Sequence, residues 1–144
     1  MYNVIYKHYE GTMDNNKFLQ KYKLKSTPQR LEIINILTQK GHSNVETLYN
    51  NLKLKFPSVS LSTVYKNINT MQEKGFLSEV KINGKKNVYE LIKNKHSHAV
   101  CMKCHKVIDI KVDASELLYQ AKQASNYKLN ESSVVFQGIC PNCK

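Results

Sequence analysis

The sequence predicts an α+β fold in two parts: a run of helices closed by a β-hairpin, then a small α/β unit stapled by cysteines. Three observations carry this. Apolar residues recur with helical spacing as far as Met71, then switch to strand-like runs on either side of Asn83-Gly84. All four cysteines fall in the last 44 residues, as Cys101-Met-Lys-Cys104 and Cys140-Pro-Asn-Cys143, with 35 residues between the pairs. Between the two parts, the apolar pattern breaks at Lys93 to Lys95.

Residues 1–15 read as an N-terminal extension without clear periodicity, and His8 within it reads as a bystander. Phe18, Leu19 and Tyr22 indicate a first short helix. Ser26-Thr27-Pro28 is a helix entrance, a hydroxyl cap followed by a proline preset to helical φ. Leu31, Ile34, Ile36 and Leu37 supply its apolar face, and Gly41 is placed to stop it. A third helix starts near Ser43-Asn44 with Val45, Leu48 and Leu52 inward. Ser60 opens a fourth, whose expected buried stripe is Leu61, Val64, Ile68 and Met71. Its opposite face carries Ser62, Tyr65, Lys66, Asn69 and Glu73, and Gly75 closes it. Phe76 to Ile82 and Lys85 to Ile92 are expected strands joined by a two-residue turn at Asn83-Gly84.

Helices followed by a hairpin are the order of a winged helix-turn-helix. In that architecture the fourth helix enters the major groove of DNA and the wing lies along phosphates. Residues 16–92 are therefore read as a DNA-binding domain, 93–97 as a hinge and 98–144 as the second domain. That domain should hold strands at Ala99 to Cys101, Val107 to Val112 and Tyr127 to Ile139, with an apolar core at Val134 to Phe136. A helix over about 114–125 should gather Leu117, Leu118 and Ala121 on one side. So small a segment buries little core alone; a metal staple and dimerisation are the usual remedies.

Twenty-two Lys and Arg stand against 11 acidic residues, a formal charge of +11. Both parts are basic, with 14 basic and 7 acidic residues in 1–92, and 8 and 4 in 93–144. This balance favours a polyanionic partner, although charge of this kind also serves solubility. No apolar run approaches the ~20 residues of a membrane span, so nucleic acid is the better partner than a membrane. With no signal-like opening, a cytoplasmic protein is expected.

The two Cys-x-x-Cys knuckles match a closed, structural Zn²⁺ site at Cys101, Cys104, Cys140 and Cys143. Two redox pairs are the alternative. Upstream, His96-Ser-His98 is a chemically different set: on a strand, residues two apart share a face, so both imidazoles point together and Cys101 points away. Histidines so spaced make a two-toothed clip for a divalent ion, or are simply exposed. Glu90, Asp109 and His42 are further nitrogen and oxygen donors in the surrounding sequence, a set suited to Fe²⁺ or Mn²⁺. An enzyme is not expected. The H-x-E with P-C-x-x-C pattern of zinc deaminases is absent, and four thiolates leave no position for water.

Three segments in order, Ser26-Thr-Pro-Gln-Arg30, Ser60-Leu-Ser-Thr-Val-Tyr65 and His96-Ser-His98-Ala-Val-Cys101-Met-Lys-Cys104, resemble the ferric uptake regulator family, over about Asn16 to Cys143. The resemblance implies dimeric, metal-activated repressors with an N-terminal winged helix and a C-terminal α/β dimerisation domain. Carried onto this chain, the family's sensing ligands are His42, Glu90, His96, His98 and Asp109. Iron-sensing members usually have glutamate where Asp109 stands, and peroxide-sensing members aspartate; the position of Glu90 is often aspartate in the peroxide branch. Lys95 and Ser97 replace a histidine and an aspartate that serve an additional metal site in many iron sensors, so no such site is expected. His105 stands where the family commonly has glycine and reads as surface-exposed.

By this resemblance, bound Fe²⁺ or Mn²⁺ would clamp the two domains of a homodimer onto a two-fold double-stranded operator. Peroxide meeting the Fe²⁺ form would oxidise His42 or His96 and release DNA. The alternative is a repressor that senses Fe²⁺ itself; a zinc-uptake regulator comes third, since its site would recruit a further cysteine. Candidate DNA contacts are Ser62, Tyr65 and Lys66 on the recognition face and Lys81, Lys85 and Lys86 on the wing. A half-buried Tyr65 and merely solvated wing lysines are the plainer readings.

Overall fold

The computed structural model describes residues 14–144. The chain divides into two compact units, Met1–Asn94 and Lys95–Lys144. The expected extension and His8 lie outside the described residues, except for Asp14 and Asn15, which cap and open the first helix.

The first unit contains α1 (Asn15–Lys21), α2 (Pro28–Lys40), α3 (Val45–Lys55) and α4 (Leu61–Glu73), then β1 (Leu77–Val80) and β2 (Val88–Leu91). Each helix begins on a side chain that accepts a backbone N–H otherwise left over in the first turn. Asp14 accepts from Asn16, Thr27 from Arg30, Asn44 from Thr47 and Ser60 from Thr63. Each such cap contributes about 1 kcal/mol. Gly41, at φ 78°, ends α2 in a backbone region that side chains avoid.

The core follows from helical spacing. Ile33, Ile34 and Leu37 of α2, Leu48 of α3 and Val64, Ile68 and Met71 of α4 are fully buried, with Phe76 beneath. Phe18, Tyr22 and Phe76 stack edge-on or tilted, with ring centres 4.9 to 5.4 Å apart. Leu61 departs from the expected stripe: at the first residue of α4 it is 41% exposed, ahead of the turn that meets the core.

The hairpin is shorter than its apolar runs suggest. β1 and β2 pair antiparallel from Leu77↔Leu91 to Val80↔Val88, leaving residues 81–87 as a wide wing. Lys85 N–H bonds the Ile82 carbonyl across Asn83-Gly84, and Gly84 takes φ 70°. Asn83 does not adopt positive φ, so this is not the mirror-image turn that closes a two-residue hairpin. Asn87 explains the difference. Its carboxamide accepts from Ile82 N–H and donates to Glu79, holding the base of a longer loop.

The second unit contains β3 (Ser97–Cys101), β4 (Val107–Ile110), α5 (Ser115–Ser125), β5 (Val135–Gly138) and a final 3₁₀ turn, Pro141–Cys143. The strand order is β4-β3-β5, with β3 antiparallel to β4 and parallel to β5. The expected long strand from Tyr127 is confined to four residues. Residues 128–133 are mostly polar, without the alternation a half-buried strand needs, and they return the chain from α5 to the start of β5. The expected apolar core also opens outward. Phe136 is 48% exposed, Leu117 55%, and α5 has no buried residue. Among the described residues no helix is long and apolar enough to cross a membrane.

Candidate metal centres

The four cysteines meet because β3 and β5 run parallel. Parallel neighbours end side by side, and Cys101↔Gly138 are register partners, with Met102 N–H bonding the Gly138 carbonyl at 2.8 Å. Cys140 follows β5 by two residues, and the four sulfur atoms lie within 4.8 Å of one another. Cys104 Sγ and Cys140 Sγ are 3.8 Å apart. A disulfide needs about 2.05 Å; a tetrahedron with Zn–S of about 2.3 Å has edges of about 3.8 Å. The spacing is too long for a disulfide and fits four thiols gathered around one tetrahedral ion.

The electrostatics agree. Backbone N–H groups of Cys104 and Cys140 point at Cys101 Sγ, at 3.5 and 3.4 Å, and lower its thiol to about 5. Contacts with the Cys140 and Cys104 sulfurs, together with burial, push Cys143 up to about 12. One thiolate is favoured here, but further ones repel it unless a cation is shared. Zinc would supply that cation and a fixed tetrahedral geometry. His105, in the first knuckle, is exposed and sits at φ 65°, the left-handed conformation that glycine takes without strain.

The nitrogen and oxygen donors form two sets, one in each unit. In the first unit, Ser43 in the loop before α3 pairs with Tyr89 of β2 through bonds of 3.1 and 2.8 Å. This single antiparallel bridge lays the loop beside β2, so the preceding His42 falls opposite the following Glu90 on one face. His42 Nε2 and Glu90 Oε2 are 3.0 Å apart, and Glu90 is 1% exposed. Lys93 Nζ stands 3.0 Å from that same oxygen.

In the second unit, His98 of β3 and Asp109 of β4 are direct register partners. His96, two residues before His98, has its ring centre 4.5 Å from that of His98. The Nε2 atoms are 2.9 Å apart, and each lies 3.5 Å from Asp109 Oδ1. Ligand atoms about 2.1 Å from one divalent ion are separated by about 3.0 Å at right angles and about 3.4 Å tetrahedrally. The three atoms, two imidazole nitrogens and a carboxylate oxygen, are therefore spaced as ligands of one ion would be.

Of the residues expected to face DNA, Ser62, Tyr65 and Lys66 are exposed on α4, as are Lys81, Lys85 and Lys86 on the wing. Lys86 also meets Glu46 at 2.5 Å, a pair in which both side chains are 63% exposed. Two contacts had no sequence signal beyond charge. They are this Lys86–Glu46 pair and the Lys93–Glu90 pair. A third, Asn67 of α4 accepting from Arg30 Nε and donating to Gln29 Oε1, ties α4 to α2 and needs the tertiary fold to be seen.

The sequence model of the ferric uptake regulator family matches residues 21–137. The peroxide operon regulator of Bacillus subtilis is 27% identical over 127 residues, 87% of this chain and 88% of that protein. The ferric uptake regulation protein of Synechococcus elongatus is 34% identical over 125 residues, 82% and 84% of the two chains. The crystal structure of the Campylobacter jejuni peroxide stress regulator is 35% identical, with a TM-score of 0.69, over 91% of this chain and all of that one. The matched stretch contains all of the nitrogen and oxygen donors and the first cysteine knuckle, and the chain belongs to the ferric uptake regulator family.

Proposed function

We propose that this chain is a metal-dependent transcriptional repressor that binds an operator as a homodimer and senses peroxide by oxidation of a ligand histidine. The observation that carries the peroxide reading is the triangle of His96, His98 and Asp109, with sides of 2.9, 3.5 and 3.5 Å. Two histidines and one carboxylate on a single face are the donor set of non-haem Fe²⁺ sites that keep positions open for oxygen chemistry. Similarity to a peroxide operon regulator and a peroxide stress regulator supports the same reading.

His42 and Glu90 are the remaining ligands that the family resemblance implies. These residues would hold Fe²⁺, which would supply redox chemistry toward peroxide. An imidazole carbon of His42 or His96 would then gain one oxygen atom of peroxide while the other leaves as water, whereas the same residues holding Mn²⁺ would lack that chemistry. A histidine changed in this way is a poorer donor, and repression ends with the ligand set. Ser62, Tyr65 and Lys66 would read the major groove while Lys81, Lys85 and Lys86 follow phosphates. The exposed Phe136, Ile139, Leu117 and Tyr119 support a second copy of the chain as partner of the C-terminal unit, which buries little of its own apolar surface.

A second reading is an iron-uptake repressor that senses Fe²⁺ itself. Glu90 favours it, as does the 34% identity to ferric uptake regulation proteins. The deciding experiment is operator binding by the Fe²⁺- and Mn²⁺-loaded chain before and after micromolar peroxide. Release confined to the Fe²⁺ form supports the first reading, and no release from either form supports the second.

A further inference from the structure

Glu90 is almost inaccessible to water, and two nitrogen atoms share one of its oxygens. His42 Nε2 and Lys93 Nζ each lie 3.0 Å from Oε2. The Lys93 side chain is only 13% exposed. A lysine two residues beyond the end of β2 could extend its stem into water, as the exposed wing lysines do. Lys93 instead turns its ammonium back onto a buried carboxylate. The charge of Glu90 is thereby balanced from within the protein, as a buried carboxylate requires.

A divalent ion bound through Oε2 would stand about 2.1 Å from that oxygen. It would meet a cation already 3.0 Å from the same atom. At this burial, solvent and salt screen like charges weakly, so the two cannot share the oxygen without cost. We propose that Lys93 is an internal competitor for the regulatory metal. It holds Glu90 when metal is absent, must yield the oxygen when metal binds, and so raises the metal concentration at which the repressor becomes active. This rests on the reading of Glu90 as a ligand. A lysine that merely oriented Glu90 for the ion would have the opposite effect, because its removal would weaken binding.

The test is calorimetric titration of the zinc-loaded, full-length chain with Mn²⁺, with thermal melts to confirm folding. Lys93→Met and Lys93→Gln should each bind Mn²⁺ about tenfold more tightly or better, since a neutral neighbour no longer opposes the ion. Lys93→Arg should stay within about threefold of the parent because it keeps the charge. The Gln variant retains a polar head if the Met variant does not fold. Unchanged or weaker Mn²⁺ binding in the folded neutral variants overturns the proposal. Glu90→Gln separates the two ideas. If it loses Mn²⁺ affinity while the Lys93 variants match the parent, only the competitor role fails. If it binds Mn²⁺ like the parent, Glu90 is not a ligand and both ideas fall.

Discussion

His98 and Asp109 face each other across the β3–β4 ladder, with Nε2 and Oδ1 3.5 Å apart. The pairing is set by backbone register, so the two donors are held in place before any ion arrives. His96, one residue ahead of β3, falls on the same side as His98, as strand parity predicts. For the proposed metal site, such preorganisation would confine the cost of ordering these side chains to folding rather than to metal capture.

Asp109→Asn should therefore weaken Mn²⁺ binding without unfolding the sheet. The carboxamide keeps the shape of the side chain and its place opposite His98 but loses the charge that balances a divalent ion. We expect a loss on the order of a hundredfold, at the upper end of what outer partners of a site contribute. Titration with Mn²⁺ beside a thermal melt checks this; parent-like affinity would remove Asp109 from the ligand set.

Cys101→Ser or Cys140→Ser should cost the chain its one zinc, unfold the C-terminal unit and abolish dimers, because a structural zinc site contributes folding energy. Metal analysis and size-exclusion chromatography read both effects, and a folded dimeric variant would refute the assignment. Acid should do the same reversibly. The Cys101 pKa in the fold, about 5, lies below its ordinary value of 9.0. A group lowered in this way stabilises the fold above its ordinary pKa, and that stabilisation is lost as the pH falls through the folded value. Because zinc competes with protons for the same thiolate, it should be retained at about pH 6 and released only as the pH falls below about 5.

What could be read from the residues was local. Thr27, Asn44 and Ser60 announce helix starts because capping needs only three consecutive turn residues and a side-chain oxygen. The two knuckles announce a thiol cluster because Cys-x-x-Cys spacing turns both sulfurs of a pair to one side, and the four do gather within 4.8 Å. The placement of His42 was not legible, since it depends on the Ser43–Tyr89 bridge between segments 46 residues apart in sequence. Nor was the β4-β3-β5 order, in which the parallel pair brings Cys140 to Cys101. The wing misled because Asn83-Gly84 signals a tight turn, whereas Asn87 uses its side chain to stabilise a wider one. Periodicity likewise assigned Leu61 to the core, but a helix's first residue can lie beyond the surface it packs on.

On DNA, Lys81→Ala and Lys85→Ala should each weaken binding to all sequences alike and reduce the salt slope by about 1. Lys86→Ala should have a smaller effect, because its ammonium already has Glu46 at 2.5 Å. That pair is exposed on both sides and weak enough to yield to a phosphate. Ser62 or Tyr65 substitutions should instead alter which operator is preferred. Titrations at several salt concentrations against operator and random duplexes distinguish these outcomes. Unchanged binding in all of these variants would rule out the placement of α4 and the wing on DNA.

The sharpest prediction concerns the fate of a histidine. His96 and His98 share a face with Asp109, and His42 pairs with Glu90 in the first unit, so under the proposed function the imidazoles are the oxidisable groups among the ligands. Treating the Fe²⁺ form with low peroxide should add one oxygen to His42 or His96 and release the operator, while the Mn²⁺ form keeps both. The cysteines should stay reduced, because zinc-bound thiolates are poorer nucleophiles than free ones. Asp109→Glu should retain metal-dependent DNA binding but slow the oxidation, since a longer carboxylate can chelate or crowd the open position. Mass spectrometry of the two histidine peptides, read against DNA release over the same time course, decides the matter. Release that follows cysteine oxidation or zinc loss, with both histidines intact, would defeat the histidine mechanism. Release from neither form would leave Fe²⁺ concentration itself as the signal.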